Sequence, residues 1–108
     1  MAKFAVFFTF RGETIKNMMS RPSDRAAVVS AMCEQAGGRM ESYYLMFGPH
    51  DGFVIVDVPN STTAAAISLA VSSTGAFAHI DTHELIDVAD LNDILETASS
   101  LTYSAPGS

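Results

Sequence analysis

The chain has 108 residues, which is enough for one domain and too few for two. Twelve acidic residues against six basic ones give a net charge of −6. This balance argues against a nucleic-acid-binding protein, which needs clustered Lys and Arg to neutralise phosphates. Hydrophobic residues make up 48% of the chain and charged residues 17%, a composition typical of a folded domain rather than a disordered one.

The sequence carries no signal for export or membrane insertion. No apolar run reaches the length of a transmembrane helix, and the apolar N-terminal segment is not followed by a cleavage site of the A-x-A type. The single cysteine, Cys33, cannot form an internal disulfide. We therefore expect one cytoplasmic domain over residues 1–108 that has neither a membrane nor a nucleic acid as its partner.

The sequence predicts four strands and three helices. The predicted elements are a strand over 3–10, a polar connection over 14–20 with one or two helical turns, a helix from Arg25 to Gly37-Gly38, strands over 39–47 and 53–58, a helix over 62–74, a strand over 77–86, and a last helix capped by Asp87. Ser20 or Ser23 could cap the first helix and Asn60 or Ser61 the second. The tail, 99–108, is expected to be partly loose.

This order of elements predicts an α+β fold of the ferredoxin-like, split βαβ type, with an extra C-terminal helix. The crossovers through helices must be right-handed. We therefore expect an antiparallel sheet in the order 4-1-3-2, with the two main helices on one face.

Strict alternation of side chains along the strands leaves a second face, turned away from the helices. Its predicted members are Lys3, Ala5, Phe7, Thr9, Glu41, Tyr43, Leu45, Phe47, Phe53, Ile55, Asp57, Phe77, His79, Asp81, His83 and Leu85. Its large apolar groups are too many to leave in water on a monomer, and two-fold homodimers are the commonest oligomers. We expect a dimeric α/β barrel joined through this face; the alternative is a monomer with a half-exposed sheet.

The pattern His79-x-Asp81-x-His83 is the strongest candidate for a catalytic or ligand-binding group in the sequence, because all three side chains point to one face. Residues four apart on a strand are about 13 Å apart, so the two histidines cannot share a metal ion, and we predict no metal. Asp81 could instead orient one imidazole as a catalytic acid or base. The structural alternative is that these polar groups protect an edge strand from aggregation.

A second set of residues could contact a ligand. These candidates are Thr9, Arg11, Tyr43, His50, Asp51 and Asp57. Thr9 and Arg11 end the first strand, where they could bind an anion, and Tyr43 could donate a hydrogen bond. His50 and Asp51 lie in a tight turn, either at the mouth of a site or only in the turn itself. Phosphate-loop, dinucleotide, nucleophile-elbow and zinc motifs are absent, so we predict no cofactor.

The stretch from Gly37-Gly38-Arg39 to Tyr44, followed by Phe47-Gly48-x-x-Asp51, resembles the GYD domain family. So do the spacing to Pro59, the Ala-rich helix and Gly75. The resemblance covers about residues 3–106, and His50 stands where the family motif Gly-x-Tyr-Asp has tyrosine. It implies a small ferredoxin-like, dimeric α/β-barrel protein, and it supports the fold more than an activity.

Two functions of different classes fit these observations. The first is small-molecule binding in a dimeric barrel, with cofactor-free acid–base chemistry by His79, Asp81 or His83 on a partly apolar ligand. The second is a non-enzymatic structural or regulatory interaction module. In both cases the expected partner is a second copy of the chain, within a dimer or a larger assembly.

Overall fold

The computed structural model describes residues 1–107. Its elements are β1 (Ala2–Phe10), α1 (Gly12–Ser20), α2 (Arg25–Gln35), β2 (Arg39–Leu45), β3 (Gly52–Val58), α3 (Ser61–Ser72), β4 (Phe77–Glu84), a 3₁₀ turn (Val88–Asp90) and α4 (Leu91–Ser100). The residues predicted as a polar connection with helical turns form the regular helix α1.

The four strands form one antiparallel sheet in the order β2-β3-β1-β4, which is the predicted order read from the other edge. The core lies between this sheet and the helices α2 and α3. Its buried cluster joins Phe4 of β1 and the valines of β3 to Cys33 of α2 and Ala64 of α3. The ferredoxin-like prediction is confirmed.

The helix starts follow from side chains that accept otherwise unpaired backbone N–H groups. Asp24 caps α2 by accepting from Ala27 N at 3.0 Å, so the predicted caps Ser20 and Ser23 are wrong. The negative charge of this carboxylate also interacts favourably with the positive end of the helix dipole. Asn60 caps α3 by accepting from Thr63 N at 2.9 Å, as one of the two predicted alternatives.

A β-bulge in β2 reverses the predicted faces of the two adjacent tyrosines. The pairing register shifts after Met40, so that Tyr43 pairs with Val54 and Tyr44 with Phe53. An inserted residue changes the alternation of every side chain that follows it. Tyr43 therefore packs against the core, and Tyr44 takes the place on the second face that the sequence assigned to Tyr43.

The register shift in β2 and a second irregularity in β4 show that Leu45 and Phe77 were also assigned to the wrong face. Leu45 pairs with Gly52 and shares the face of Tyr43, not the second face. In β4 the register skips Ala78, and Phe77 pairs with Phe10, whose ring stacks on it at 5.2 Å between centroids. Phe77 therefore lies on the core side of the sheet.

Burial of Tyr43 gives the chain a dependence on alkaline pH. Burial raises the pKa of its hydroxyl above the ordinary value of about 10, although nearby Arg25 partly offsets this effect. A raised folded-state pKa adds stability that is complete below pH 10 and is lost as the pH rises through the folded-state value.

We expect the free energy of unfolding of the wild type to fall more steeply from pH 9 to pH 11.5 than that of Tyr43→Phe. Urea unfolding at a series of pH values measures this difference. Tyr103→Phe is the matched control, because the Tyr103 side chain is 81% exposed in the C-terminal tail, and it should follow the wild type. Parallel curves for wild type and Tyr43→Phe would contradict the role of burial.

The C-terminal segment leaves the sheet. The strand predicted to reach residue 86 ends at Glu84, and Asp87 caps the 3₁₀ turn by accepting from Ala89 N. All residues over 82–107 are exposed. The Cα radius of gyration is 17.4 Å, against about 13 Å for a compact domain of this size, because α4 projects from the body.

Helix α4 continues to Ser100, so residues 99 and 100 of the predicted tail belong to a helix. Residues 101–107 follow without regular helix or strand, and Ser108 lies outside the described residues. Within that described part of the chain, no helix has the length and apolar character needed to cross a membrane.

Candidate functional site

The turn between β2 and β3 is held against the end of β1 by Asp51. Its backbone N–H donates to Phe8 O at 2.8 Å, and its side chain accepts from Phe10 N at 2.8 Å. Its carbonyl accepts from Met46 N. Asp51, a predicted ligand contact, thus uses its polar groups to position the turn, and the turn in turn positions His50 on the second face.

His50 has a polar neighbour at each of its ring nitrogens. Thr9 Oγ1 donates to the carbonyl of Pro49 at 2.9 Å and lies 3.4 Å from His50 Nδ1. His50 Nε2 lies 3.5 Å from Asp81 Oδ2 on β4. The ring also packs at 5.5 Å from the ring of Phe7, between centroids. Two predicted ligand contacts, Thr9 and His50, are therefore neighbours.

Asp81 lies between two histidines. Its Oδ1 lies 2.9 Å from His79 Nε2, and its Oδ2 faces His50. The two imidazole rings lie roughly parallel, with centroids 6.4 Å apart. We call His50, Asp81 and His79 the His–Asp cluster. The i, i+2 spacing in β4 brings Asp81 and His79 together, and the neighbouring β2–β3 turn brings His50.

The structure separates His83 from this cluster. His83 pairs with Ala5, two rows along the strand from Thr9 and His79. Its ring meets the ring of Phe7 edge-on at 6.0 Å, and no hydrogen bond joins it to Asp81 within residues 1–107. No group of three His, Cys, Asp or Glu side chains in the same range could hold a metal ion.

Aromatic rings form an apolar floor beside the cluster. Phe7 stacks on Phe53 with centroids 5.5 Å apart, and Phe53 stacks on Tyr44 at 5.6 Å. The interior gap between the sheet and the helices has a volume of only about 60 Å³, while small-molecule pockets measure about 300 Å³ or more. The interior between the sheet and the helices therefore has no room for such a ligand.

Asp57 lies at the other end of the second face, in an ion-pair network. It is 8% exposed; Arg39 Nη2 lies 3.1 Å from its Oδ2 and Lys3 Nζ 3.7 Å from its Oδ1. The guanidinium is not aligned to donate, so Oδ2 has a charged neighbour and no hydrogen bond. Lys3 also pairs with Glu41, and that hydrogen bond raises the pKa of Lys3. Asp57 is thus engaged by cations of its own chain.

The remaining candidates lie outside the cluster. Arg11 precedes α1 as its N-cap residue, makes no side-chain cap hydrogen bond, and donates its backbone N–H to Ala76 O. Tyr43 lies on the core side. Sequence reasoning missed Tyr44 and the contact between His50 and Asp81. The position of Tyr44 depends on the bulge in β2. The contact of His50 with Asp81 depends on the position of the β2–β3 turn.

The His–Asp cluster has the parts of an acid–base site. A carboxylate that accepts from one nitrogen of an imidazole fixes its orientation and leaves the other nitrogen free to exchange a proton. His79 presents such a nitrogen, Nδ1, and its side chain is 62% exposed. His50 is more enclosed, so His79 is the ring that a ligand can reach.

A family model described as the GYD domain matches residues 4–95 of the chain. A solved structure described as the crystal structure of FFRP-DM1 is similar in fold, with a TM-score of 0.51 and 12% sequence identity over 80% of this chain and 100% of that chain. A comparison with curated proteins found no match. Since the family model spans most of the sequence, the chain belongs to the GYD domain family.

Proposed function

We propose that the protein binds a small, partly apolar, planar molecule on the second face of its sheet, between two copies of the chain. His79 acts on this molecule as a proton acceptor or donor, and Asp81 orients His79. The observation that carries this proposal is the 2.9 Å hydrogen-bond contact of His79 with Asp81, with His50 3.5 Å from the same carboxylate, beside a floor of stacked aromatic rings.

The ligand class follows from the surroundings of the cluster. Phe7 and Phe53 offer ring faces, on which a planar ligand gains more than from area alone. His79 offers one free ring nitrogen that accepts a hydrogen bond from a ligand hydroxyl. A phenol-like molecule, with an aromatic ring and one hydroxyl, combines both contacts.

A second copy supplies the cover of the site. On a single chain the second face is open to water, and an imidazole–carboxylate pair gains strength when water is excluded. Two sheets packed face to face lie about 10 Å apart, and their inner side chains exclude water from the groups between them. The proposed site is therefore complete only in the homodimer.

The proposal is tested by titrating the full chain with phenol while the imidazole NMR signals are followed, with cyclohexanol as the non-aromatic comparison. We expect the signals of His79 and His50 to shift with phenol. Asp81→Asn should weaken phenol binding about tenfold, or about 1.4 kcal/mol, since the neutral amide oxygen is a weaker acceptor with which to orient His79.

His83→Gln is the matched control, because His83 lies on the same strand and face but outside the cluster, and it should bind phenol as the wild type does. If phenol left the histidine signals unmoved, or if Asp81→Asn bound it unchanged, the ligand site would be refuted. An interaction module without a ligand would then be the better function.

A further inference from the structure

Within residues 1–107, the apolar face of the C-terminal helix α4 is exposed. Its apolar residues recur at helical spacing: Leu91, Ile94, Leu95, Ala98 and Leu101. Leu95 is 56% exposed. A helix of ten residues is marginal in water when nothing packs against it. The pattern therefore indicates that the apolar face of α4 packs against another surface.

A cleft of matching character lies at one end of the helical layer. It has a volume of about 550 Å³ and is bounded by α1, α2 and the end of α3. Apolar side chains, among them Met18, Val28 and Met32, dominate its lining, and its only charged residues are Arg21 and Arg25. Val28 is 49% exposed at this cleft, so the cleft also has apolar surface to cover.

The charges of the two surfaces are opposite. The segment 84–107 holds five acidic residues and no Lys or Arg, while the cleft holds two arginines and no acid. Such complementarity steers the encounter and disfavours other partners. The second face carries acidic as well as basic groups, so it matches this segment less well.

The cleft of the same chain lies at the wrong end of the sheet. Phe10 and Phe77 line it, whereas α4 follows Glu84, which pairs with Phe4 at the opposite end of β1. Only three residues separate β4 from the 3₁₀ turn, and within residues 1–107 no α4 residue lines the cleft of its own chain. A second chain is therefore the better source of the cleft.

We propose that α4 is an exchanged arm, whose apolar face docks into the α1–α2 cleft of a second copy of this chain. Two copies that exchange arms reciprocally form a closed pair. The cleft and the second face lie on opposite sides of the sheet, so one copy can use both contacts. The wild type is then a tetramer, built from arm-exchanged pairs joined through the second face.

The first test is the solution mass of full-length variants by sedimentation equilibrium. Leu95→Asp should halve the mass, because the charge lies in the middle of the docked face. Asn92→Asp adds the same charge on the polar side of α4 and should leave the mass unchanged. Arg25→Glu reverses a charge in the cleft and should also lower the mass. Because α4 is exposed, Leu95→Asp should retain the thermal transition of the body.

The second test identifies what α4 contacts. Benzoylphenylalanine in place of Leu95 is photo-activated in a mixture of ¹⁵N-labelled and unlabelled chains. We expect cross-links between heavy and light chains on peptides covering 17–32. Cross-links within one chain, or onto the peptides of the second face, would overturn the proposal. An unchanged mass for Leu95→Asp would also overturn it, without bearing on the sheet-face contact.

Discussion

Replacing Gly38 with alanine is expected to lower the free energy of unfolding by about 3 kcal/mol, the upper end of the cost of overpacking. A Cβ at this position would lie 2.1 Å from the backbone oxygen of Asp57 and 3.0 Å from the Cα of Val58. Backbone atoms of a central strand cannot move aside as a flexible side chain can. Urea unfolding followed by circular dichroism measures the loss.

Gly12→Ala is the matched control, since nothing lies within 4 Å of its Cβ position and its φ is not in the left-handed region. It lies in α1, where alanine is favoured over glycine by up to about 1 kcal/mol, so this variant should be as stable as the wild type or more so. If Gly38→Ala were equally stable, the close packing of the α2–β2 connection on β3 would be disproved.

An aspartate at Ile55 is expected to abolish the proposed sheet-face contact between two copies. The cross-strand neighbours of Ile55 are Ala5 and Ser42, both small, so its side chain stands above the second face. An uncompensated charge buried there costs about 3 kcal/mol or more, which raises the dissociation constant more than a hundredfold. Sedimentation should show half the mass of the parent chain, in the wild type and also in the Leu95→Asp background.

Leu69→Asp is the control, because Leu69 is a large exposed apolar residue of α3, on the helical side of the sheet. Its mass should equal that of the wild type. An Ile55→Asp chain with the mass of its parent would show that the second face joins no partner. That outcome would remove the cover of the proposed ligand site while leaving the arm-exchange test intact.

Local chemistry and periodicity allowed most of the fold to be predicted. The short apolar runs rich in Phe and Val over 3–10 and 53–58 mark strands, and the 3.6-residue period after Arg25 marks a helix. Gly37 and Gly75 have positive φ and end their helices as predicted, since glycine alone enters that region without a steric cost. The order of elements and the rules of crossover then restrict the sheet to few topologies.

Local sequence patterns predicted only part of the candidate site. His79 and Asp81 are two residues apart on one strand, so their contact follows from strand geometry. The contact of His50 with Asp81 joins residues 31 positions apart. It depends on where Asp51 ties the β2–β3 turn against β1, which no local pattern states.

By itself, the sequence determined the α+β class, the strand order and the existence of a polar strand among apolar ones, because these depend on periodicity and chain connectivity. The tertiary structure decided which tyrosine faces the second face, which histidine joins Asp81, and that α4 leaves the body. A bulge is set by the pairing of two strands, and side-chain contacts between distant segments by the packing of the whole sheet. Neither is encoded in the residues nearest to it in the chain.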